Sequence, residues 1–306
     1  LSTNSKNYDG LLGKVGFVWL INDKHSIGAY YQNEYTHSKT KSHLISNVFE
    51  NNEFYDKWKT MVDHDRRNTP RHAANLYYNG QIKKLNIDFN ADYILNKGVQ
   101  HAVNDESSLI GEKQTVATYS RNKGRMLAEK VLLTYPVAKG AVKFGEEYTS
   151  SRTDNNFHTA YVNLNNTASK ITEDNTACFM EVMQQLGKFV IGAGLRYEHV
   201  DYDYFEAESS EYNQSKTYNN VFPSFNALTR LGNLQMSISY SGKVERPTYS
   251  NLNATVSYLN RMTYESGNPR LLPTKLHNIE YMAVWKKYFI QLSYSYFDKP
   301  IVNSSF

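Results

Sequence analysis

Two short runs contain residue types that could carry chemistry. Asp63-His64-Asp65 places two carboxylates around an imidazole, and these groups can ligate a metal ion. The pattern places no second cluster near this run, so a solvated, charged surface is the favoured interpretation. Gly192-Ala193-Gly194 lies within a predicted strand, whereas nucleotide-binding glycines join a strand to a helix. We therefore predict no catalytic residue, no metal site and no cofactor, and we expect the chain not to be an enzyme.

Aromatic and charged residues in the longer connections are candidates for ligand contact. The candidates are Tyr55, Trp58, Tyr202, Tyr204, Tyr249, Tyr258, Arg261 and Tyr264. Such side chains can stack on sugars, peptides or planar ligands. They could equally pack the connections against one another or against another domain. Both interpretations stay open at the level of the sequence.

The elements that must position these residues are strands. Residues 234–243 alternate apolar and polar side chains, and residues 288–296 do the same with Phe289 as an exception. Only a strand places successive side chains on opposite faces, so each segment predicts a strand with one apolar and one polar surface. A soluble sandwich and a membrane barrel both contain strands of this kind.

The pattern repeats along the chain as about twelve strands in six hairpins. Tight turns are predicted at residues 22–25, 79–80, 136–140, 187–188, 232–233 and 286–287, and longer connections at residues 39–70, 96–124, 150–156, 165–174, 201–217 and 246–273. Short turns that alternate with long connections are typical of an up-and-down transmembrane β-barrel. The polar face of residues 84–92 includes Asp88 and Asp92, which would be costly in a sandwich core. We predict an all-β, antiparallel barrel wall, with residues 1–306 as part of one barrel domain.

Composition fits this prediction. The longest apolar runs are too short for a membrane helix, and the 25 Tyr include several beside the tight turns, where membrane interfaces collect amphipathic rings. Cys178 is the single cysteine, which excludes a disulfide framework. The net charge of +4 comes from 34 basic and 30 acidic residues without a basic cluster, so no nucleic-acid partner is expected.

If the polar faces enclose a lumen, several charged residues should line it. These predicted lumen-lining residues are Arg196, Glu198, Arg230, Lys243 and Glu280. Charges that lie at membrane depth face a wet interior rather than lipid, and most of them pair with other charges. Their expected role is to tune passage through the lumen and to pair with an occupant of it.

Several segments resemble the outer-membrane β-barrel families of Bacteroidetes that are related to TonB-dependent receptors. The similar segments are Tyr135-Pro136 with Phe144-Gly145, 194–198, 222–224, 240–241 with 245–253, and 264–273. The sequence Arg246-Pro247, followed some twenty residues later by Gly267-Asn268-Pro269, is the most specific of these signatures. The resemblance covers roughly residues 130–301. Ala254 and Thr274 depart from the family pattern, which usually has Pro and Glu there.

The resemblance implies a nutrient-uptake receptor of the Gram-negative outer membrane. It implies an N-terminal plug domain and an inner-membrane TonB complex as partners, besides outer-membrane lipid and a surface lipoprotein. No plug is recognisable here, and twelve strands are fewer than the 22 of plugged outer-membrane transporters, so we expect part of a larger barrel. The alternatives are an outer-membrane binding or assembly protein without active transport, and a soluble carbohydrate-binding β-sandwich.

Overall fold

The structure is a computed structural model that describes residues 2–261 and 263–302. Its strands are β1 (Ser2–Asn22), β2 (His25–Glu50), β3 (Glu53–Ile82), β4 (Leu85–Ser107), β5 (Gln114–Val137), β6 (Gly140–Thr159), β7 (Thr167–Leu186), β8 (Phe189–Glu206), β9 (Gln214–Leu231), β10 (Leu234–Glu245), β11 (Ser257–Asn260), β12 (Thr263–Glu265), β13 (Thr274–Trp285) and β14 (Tyr288–Asp298). One short helix, α1, spans Tyr249–Leu252. Among the described residues, no helix is long and apolar enough to cross a membrane.

Twelve of these strands form one antiparallel sheet in which neighbours in sequence are neighbours in space. Its order runs from β1 to β10 and then through β13 and β14, and β11 and β12 form a separate ribbon. Every pairing in the large sheet is antiparallel, from Trp19 opposite Ile27 at one edge to Trp285 opposite Tyr288 at the other. Within the described residues, β1 pairs only with β2, and β14 only with β13. The predicted twelve-stranded, up-and-down sheet is therefore confirmed.

The two faces of the sheet differ in chemistry. We call the face against which residues 246–273 pack the inner face, and the opposite one the outer face. On the outer face the part of each strand near the tight turns is mostly apolar and uncovered, and the exposed carboxylates Glu129 on β5 and Glu146 on β6 are exceptions. Its exposed members include Val182 at 40% exposure and Leu292 at 62%, together with Tyr93, Phe144, Met180, Leu195, Phe225, Ile238 and Ile279. No second sheet covers this surface among the described residues, so the sandwich alternative is wrong.

The tight turns lie close to where the sequence places them, with one exception. Residues 23–24, 138–139, 187–188, 232–233 and 286–287 form turns. Asn79 and Gly80 instead belong to β3 and pair with Ser26 and His25, and the turn follows at residues 83–84. Lys83 adopts the left-handed conformation there, with φ of 54°. The Asn-Gly signal was therefore misleading, because Gly80 accommodates the neighbouring Tyr78 ring rather than a turn.

Most of the predicted long connections are strands. Residues 39–50 continue β2, and residues 53–70 begin β3, so this hairpin turns only at Asn51 and Asn52. Residues 96–107 and 114–124, 150–156, 167–174, and 201–206 with 214–217 likewise extend their strands. The physical reason is that the alternation of apolar and polar residues ends where each strand leaves the apolar part of the outer face, although the strand itself continues. There Lys39 and Lys41 lie opposite Asp65 and Asp63 on the outer face, and Ser38 and Thr40 lie opposite Arg66 and His64 on the inner face, so both faces are polar.

Candidate functional site

The connection between β10 and β13 folds back onto the inner face. We call residues 246–273 the inner segment. It was predicted as a long loop, and it contains α1, β11 and β12. It contacts the inner face of strands from β3 to β9 at three places, each of which involves a predicted site residue.

The first contact is a chain of charges along the inner face. The Arg246 guanidinium donates to the Glu198 carboxylate at 2.6 Å, and the Arg196 guanidinium donates to its other oxygen at 2.8 Å. Arg196 also pairs with Glu147 at 2.7 Å, and Lys130 pairs with Glu147 at 2.7 Å. Lys130, Glu147, Arg196, Glu198 and Arg246 form what we call the inner ion network. It ties the start of the inner segment to β5, β6 and β8.

An aromatic ring supports this network. The Phe179 ring centroid lies 5.4 Å from the Lys130 ammonium and 5.6 Å from the Arg196 guanidinium, within cation–π range. The ring lies over Gly145, where an added Cβ would be 2.3 Å from it. Phe144-Gly145 is one of the family-like sequence segments, and the ring explains why a glycine is required there.

The second contact centres on the carboxylate of Glu106, whose side chain is fully buried. The Tyr258 hydroxyl donates to it at 2.9 Å, and the Arg261 backbone amide and guanidinium each donate at 3.2 Å. The Arg261 guanidinium also lies 4.5 Å from the Trp58 ring centroid. Three predicted ligand-contact residues, Trp58, Tyr258 and Arg261, therefore meet at one carboxylate that the sequence prediction missed. We call this cluster the Glu106 anchor.

The third contact is apolar. Leu252 at the end of α1 is 4% exposed and packs with Ile171, Tyr202 and Tyr204 of the sheet. The Tyr204 hydroxyl accepts from the Ala254 amide at 3.4 Å. Nearby, the Tyr249 hydroxyl hydrogen-bonds with the Ser151 hydroxyl. These contacts bury aromatic rings that the sequence alone offered as ligand contacts.

The Gly-Asn-Pro signature joins the two halves of the inner segment. Asn268 donates its backbone amide to the Asn251 carbonyl at 2.6 Å, and Gly267 donates to the Asn253 carbonyl at 2.9 Å. A Cβ on Gly267 would lie within 2.5–2.6 Å of three carbonyl oxygens. Pro269 is almost fully buried, and its carbonyl accepts from the Gln214 amide. The signature is therefore a packing motif of the inner segment.

Burial affects titratable groups beside the inner segment. It raises the pKa of Tyr258, Tyr249 and Tyr202 above the ordinary tyrosine value. Burial also raises the pKa of Glu173; Arg246 opposes that shift, and the carboxylates of Glu198 and Asp174 add to it. Glu173 is therefore a carboxyl whose charge is disfavoured next to the inner ion network.

The structure separates the eight predicted ligand-contact residues into two groups. Tyr202, Tyr204 and Tyr258 are buried, and Trp58, Tyr249 and Arg261 are engaged by partners described above. Tyr55 is 53% exposed and Tyr264 43% exposed. Ligand contact by the buried residues would require the inner segment to move. For all eight residues, ligand binding stays a prediction.

The predicted lumen-lining residues occupy one face. Arg196 and Glu198 belong to the inner ion network, and Glu280 accepts from the Asn278 amide at 2.8 Å. Arg230 pairs in register with Gln235, and Lys243 with Leu276, on the same face as Glu280. Lys130 and Glu147 also lie on this face and pair with Arg196 or with each other. The sequence could not show this, because both residues fit the strand pattern like any other polar residue.

Replacing Tyr258 by Phe should loosen the inner segment. The substitution removes the hydroxyl that donates to Glu106 and accepts from Gln114 at 2.7 Å. A hydrogen bond to a charged acceptor contributes about 1.5–3 kcal/mol. We expect a loss of about 2 kcal/mol in the free energy of unfolding, measured by urea titration in detergent. Tyr55→Phe, at a ring that is 53% exposed, is the control, and equal losses in both variants would contradict the role of the Glu106 anchor.

Replacing Glu173 by Gln should alter the pH dependence of stability. Because the folded-state pKa lies above its ordinary value of 4.5, the folded protein binds this proton more tightly than the unfolded chain. The resulting stabilisation is fully present below about pH 4.5 and is lost as the pH rises through the folded-state pKa. We expect the variant to be more stable than wild type at pH 7, with a flatter profile from pH 4.5 upwards. Parallel profiles for the two proteins would show that Glu173 is well solvated.

The fold and its two-faced surface define a class of protein, the outer-membrane β-barrels. A family model described as the outer membrane protein beta-barrel family matches residues 79–305. Because the match covers about three quarters of the sequence, the chain belongs to this family and to the outer membrane. A comparison with curated protein sequences finds no match.

Solved structures share the fold at low sequence identity. FpvAI in its complex with pyocin S2 matches with a TM-score of 0.54 at 10% identity, covering 96% of this chain and 48% of that one. The ferric-catecholate import receptor Fiu from E. coli matches with 0.52 at 10% identity, over 96% and 57%. The ferric yersiniabactin uptake receptor FyuA from Yersinia pestis matches with 0.50 at 10% identity, over 96% and 53%. The chain thus spans about half the length of these three proteins and shares their fold over that part.

Proposed function

We propose that this chain is the barrel portion of a TonB-dependent outer-membrane receptor that imports a nutrient without chemical change. The observation that carries the proposal is the inner segment, which starts at the long-connection end of the sheet and is anchored on the polar inner face. In outer-membrane barrels the long connections face the outside. The inner segment covers the inner face from the outside end of the sheet. A barrel with such a segment at its outer end favours a lumen with controlled entry over a permanently open pore.

The charges of the inner face support the same proposal. Arg196, Glu198, Arg230, Lys243 and Glu280 would line the route of a polar solute or face an occupant of the lumen. An N-terminal plug domain in the parent protein is the proposed occupant, and the TonB complex is the proposed energy source. A surface lipoprotein is the proposed partner for ligand capture. Tyr55 and Tyr264 are exposed and are the proposed first contacts of a ligand.

Uptake and binding by the parent protein test this function. Cells that carry or lack its gene would be grown with nutrient mixtures as the limiting source, and depletion of each solute would be measured. We expect depletion that requires the gene and stops when a protonophore collapses the inner-membrane proton gradient. Surface binding that survives the protonophore, without any gene-dependent depletion, would instead show an outer-membrane binding protein without active transport.

A further inference from the structure

A group of cations lies on the outer face, immediately beyond its apolar band. We call Lys97, Arg121, Lys123, Arg125, Arg152 and Lys170 the cationic patch. On β5, Arg121, Lys123 and Arg125 occupy alternate positions beyond Leu127, so they share its face, and all three are exposed. Register places Lys97 opposite Lys123, and Arg125 opposite Arg152. Lys170 follows across Asp154 on β7.

One carboxylate lies within the patch, and a second, Asp174 on β7, lies on the same face opposite Ser150, two residues nearer the apolar band than Arg152. Asp154 lies opposite Lys123 and accepts from the Arg152 guanidinium at 2.9 Å, so it neutralises one of the six cations. Strand β8 carries Asp201 and Asp203 on the same outer face at a similar height. At this level β4 to β7 therefore carry six cations against two carboxylates, whereas β8 carries two carboxylates.

The height of the patch matches a membrane surface. Arg125 lies twelve residues from the end of β5 at Val137, and Arg152 twelve residues from the start of β6 at Gly140. A strand rises about 3.3 Å per residue and tilts by about 40°, so twelve residues rise roughly 30 Å. The apolar band of an outer-membrane barrel is about 25 Å tall. The cations therefore begin at the level of the lipid headgroups, at the long-connection end.

An aromatic row continues the same surface outward. The rings of His101, Tyr119 and His158 lie side by side on β4, β5 and β6, with centroid separations of 4.7 Å and 6.4 Å. We call these three residues the aromatic row. They border a groove of about 440 Å³ on this face. Tyr119 is the next outer-face residue after Arg121 on β5, so the row borders the cationic patch directly.

We propose that this surface of β4–β7 binds a phosphorylated glycolipid of the outer leaflet. From the membrane outward, the surface consists of the apolar band, the cationic patch and the aromatic row, and these match the acyl chains, the phosphates and the outer sugars of such a lipid. The apolar band contacts acyl chains, the guanidinium and ammonium groups pair with phosphates on the headgroup sugars, and the aromatic row stacks on sugars further out. The proposal is independent of transport, since it concerns the surface that faces the membrane.

Binding of purified lipid A to the full chain in detergent tests the phosphate contacts. The probe is diphosphorylated lipid A, compared with the same lipid after phosphatase treatment, and bound lipid is counted by native mass spectrometry. Each cation near an anionic membrane surface contributes about 1 kcal/mol, so Arg121→Gln/Lys123→Gln/Arg125→Gln should weaken binding about 100-fold. The matched control Lys139→Gln/Lys286→Gln/Lys287→Gln, which removes three cations at the tight-turn end, should stay within about two-fold of wild type.

A second variant tests the sugar contact. Tyr119→Ala should weaken binding of a lipid A that carries core sugars and leave binding of bare lipid A unchanged. Circular dichroism of each variant verifies that the sheet is retained, and Arg121→Lys/Arg125→Lys should restore most of the binding. The proposal is overturned if the dephosphorylated lipid binds as well as the phosphorylated one, or if the triple variant binds like its control. Loss of a co-purifying membrane protein, with lipid binding unchanged, would also overturn it in favour of a protein partner.

Discussion

Replacing Glu198 by Gln is expected to release the inner segment from the sheet. The Glu198 side chain is only 8% exposed and accepts from both Arg196 and Arg246. Removing its charge leaves two guanidinium groups near each other without the carboxylate between them. Loss of one partner from a buried ion pair costs about 3–5 kcal/mol. We expect a loss of about 3 kcal/mol in the free energy of unfolding, together with faster local opening.

Limited trypsin digestion measures this release. Arg261 and Arg270 lie within the inner segment, and cleavage after them requires the segment to leave its contacts. The rate of cleavage reports the open population when opening is fast relative to proteolysis. Glu280→Gln removes a carboxylate that also lies on the inner face but is exposed, and its cleavage rate should match wild type. If Glu198→Gln digests no faster than Glu280→Gln, the inner ion network does not hold the segment.

Placing arginine at position 238 is expected to impair folding in the membrane, whereas arginine at position 239 is expected to be tolerated. Ile238 lies on the outer face opposite Ala227 and Tyr281, in the middle of the apolar band, and is 44% exposed. A cation on the lipid face near the midplane costs about 2–4 kcal/mol. Ser239 lies on the inner face, opposite Asn226 and Glu280, where a guanidinium meets water and a carboxylate.

The two variants form a matched pair, since they differ by one residue along the same strand. The measurement is the fraction of folded barrel after refolding into lipid vesicles, followed by urea titration of the folded form. We expect Ile238→Arg to lose most of the folded fraction or to unfold at clearly lower urea, and Ser239→Arg to stay close to wild type. Similar losses in both variants, or the reverse order, would contradict the assignment of the outer face to lipid.

The sequence predicts the membrane part of the fold well because lipid requires a continuous apolar surface there. In β10 and, apart from Phe289, in most of β14 that requirement produces alternation of apolar and polar residues, and the same register places Tyr240 beside Ile279 and Tyr294. Beyond the band the requirement disappears. Strands β2 and β3 continue through residues such as Lys41 and Asp63, which pair across the ladder without leaving an apolar signal. Glycine correctly predicts the turns at Gly187 and Gly232, both of which have positive φ. At Gly80 the same prediction is wrong.

The candidate site was predicted only in part, for a different physical reason. Aromatic composition singled out Tyr202, Tyr204, Tyr249 and Tyr258, and these residues do cluster around the inner segment. Their partners are distant in sequence: Arg246 lies 48 residues from Glu198, and Tyr258 lies 152 residues from Glu106. A side-chain contact over such separations leaves no periodic trace in a single sequence. The inner ion network and the Glu106 anchor therefore became visible only in the folded sheet.

The hairpin of β2 and β3 is longer than a strand pair needs to be to cross the membrane. Strand β2 has 26 residues and β3 has 30, and a barrel strand needs about 10 of them to cross lipid. Roughly 15 further residues at about 2.5 Å of height each raise the tip at Asn51 and Asn52 some 35–40 Å above the lipid surface. The exposed rings of Phe49 and Phe54 meet edge to face beside that tip. Among the described strands β2 and β3 are the longest, so a large body that approaches the cell would reach their tip before the other described strands.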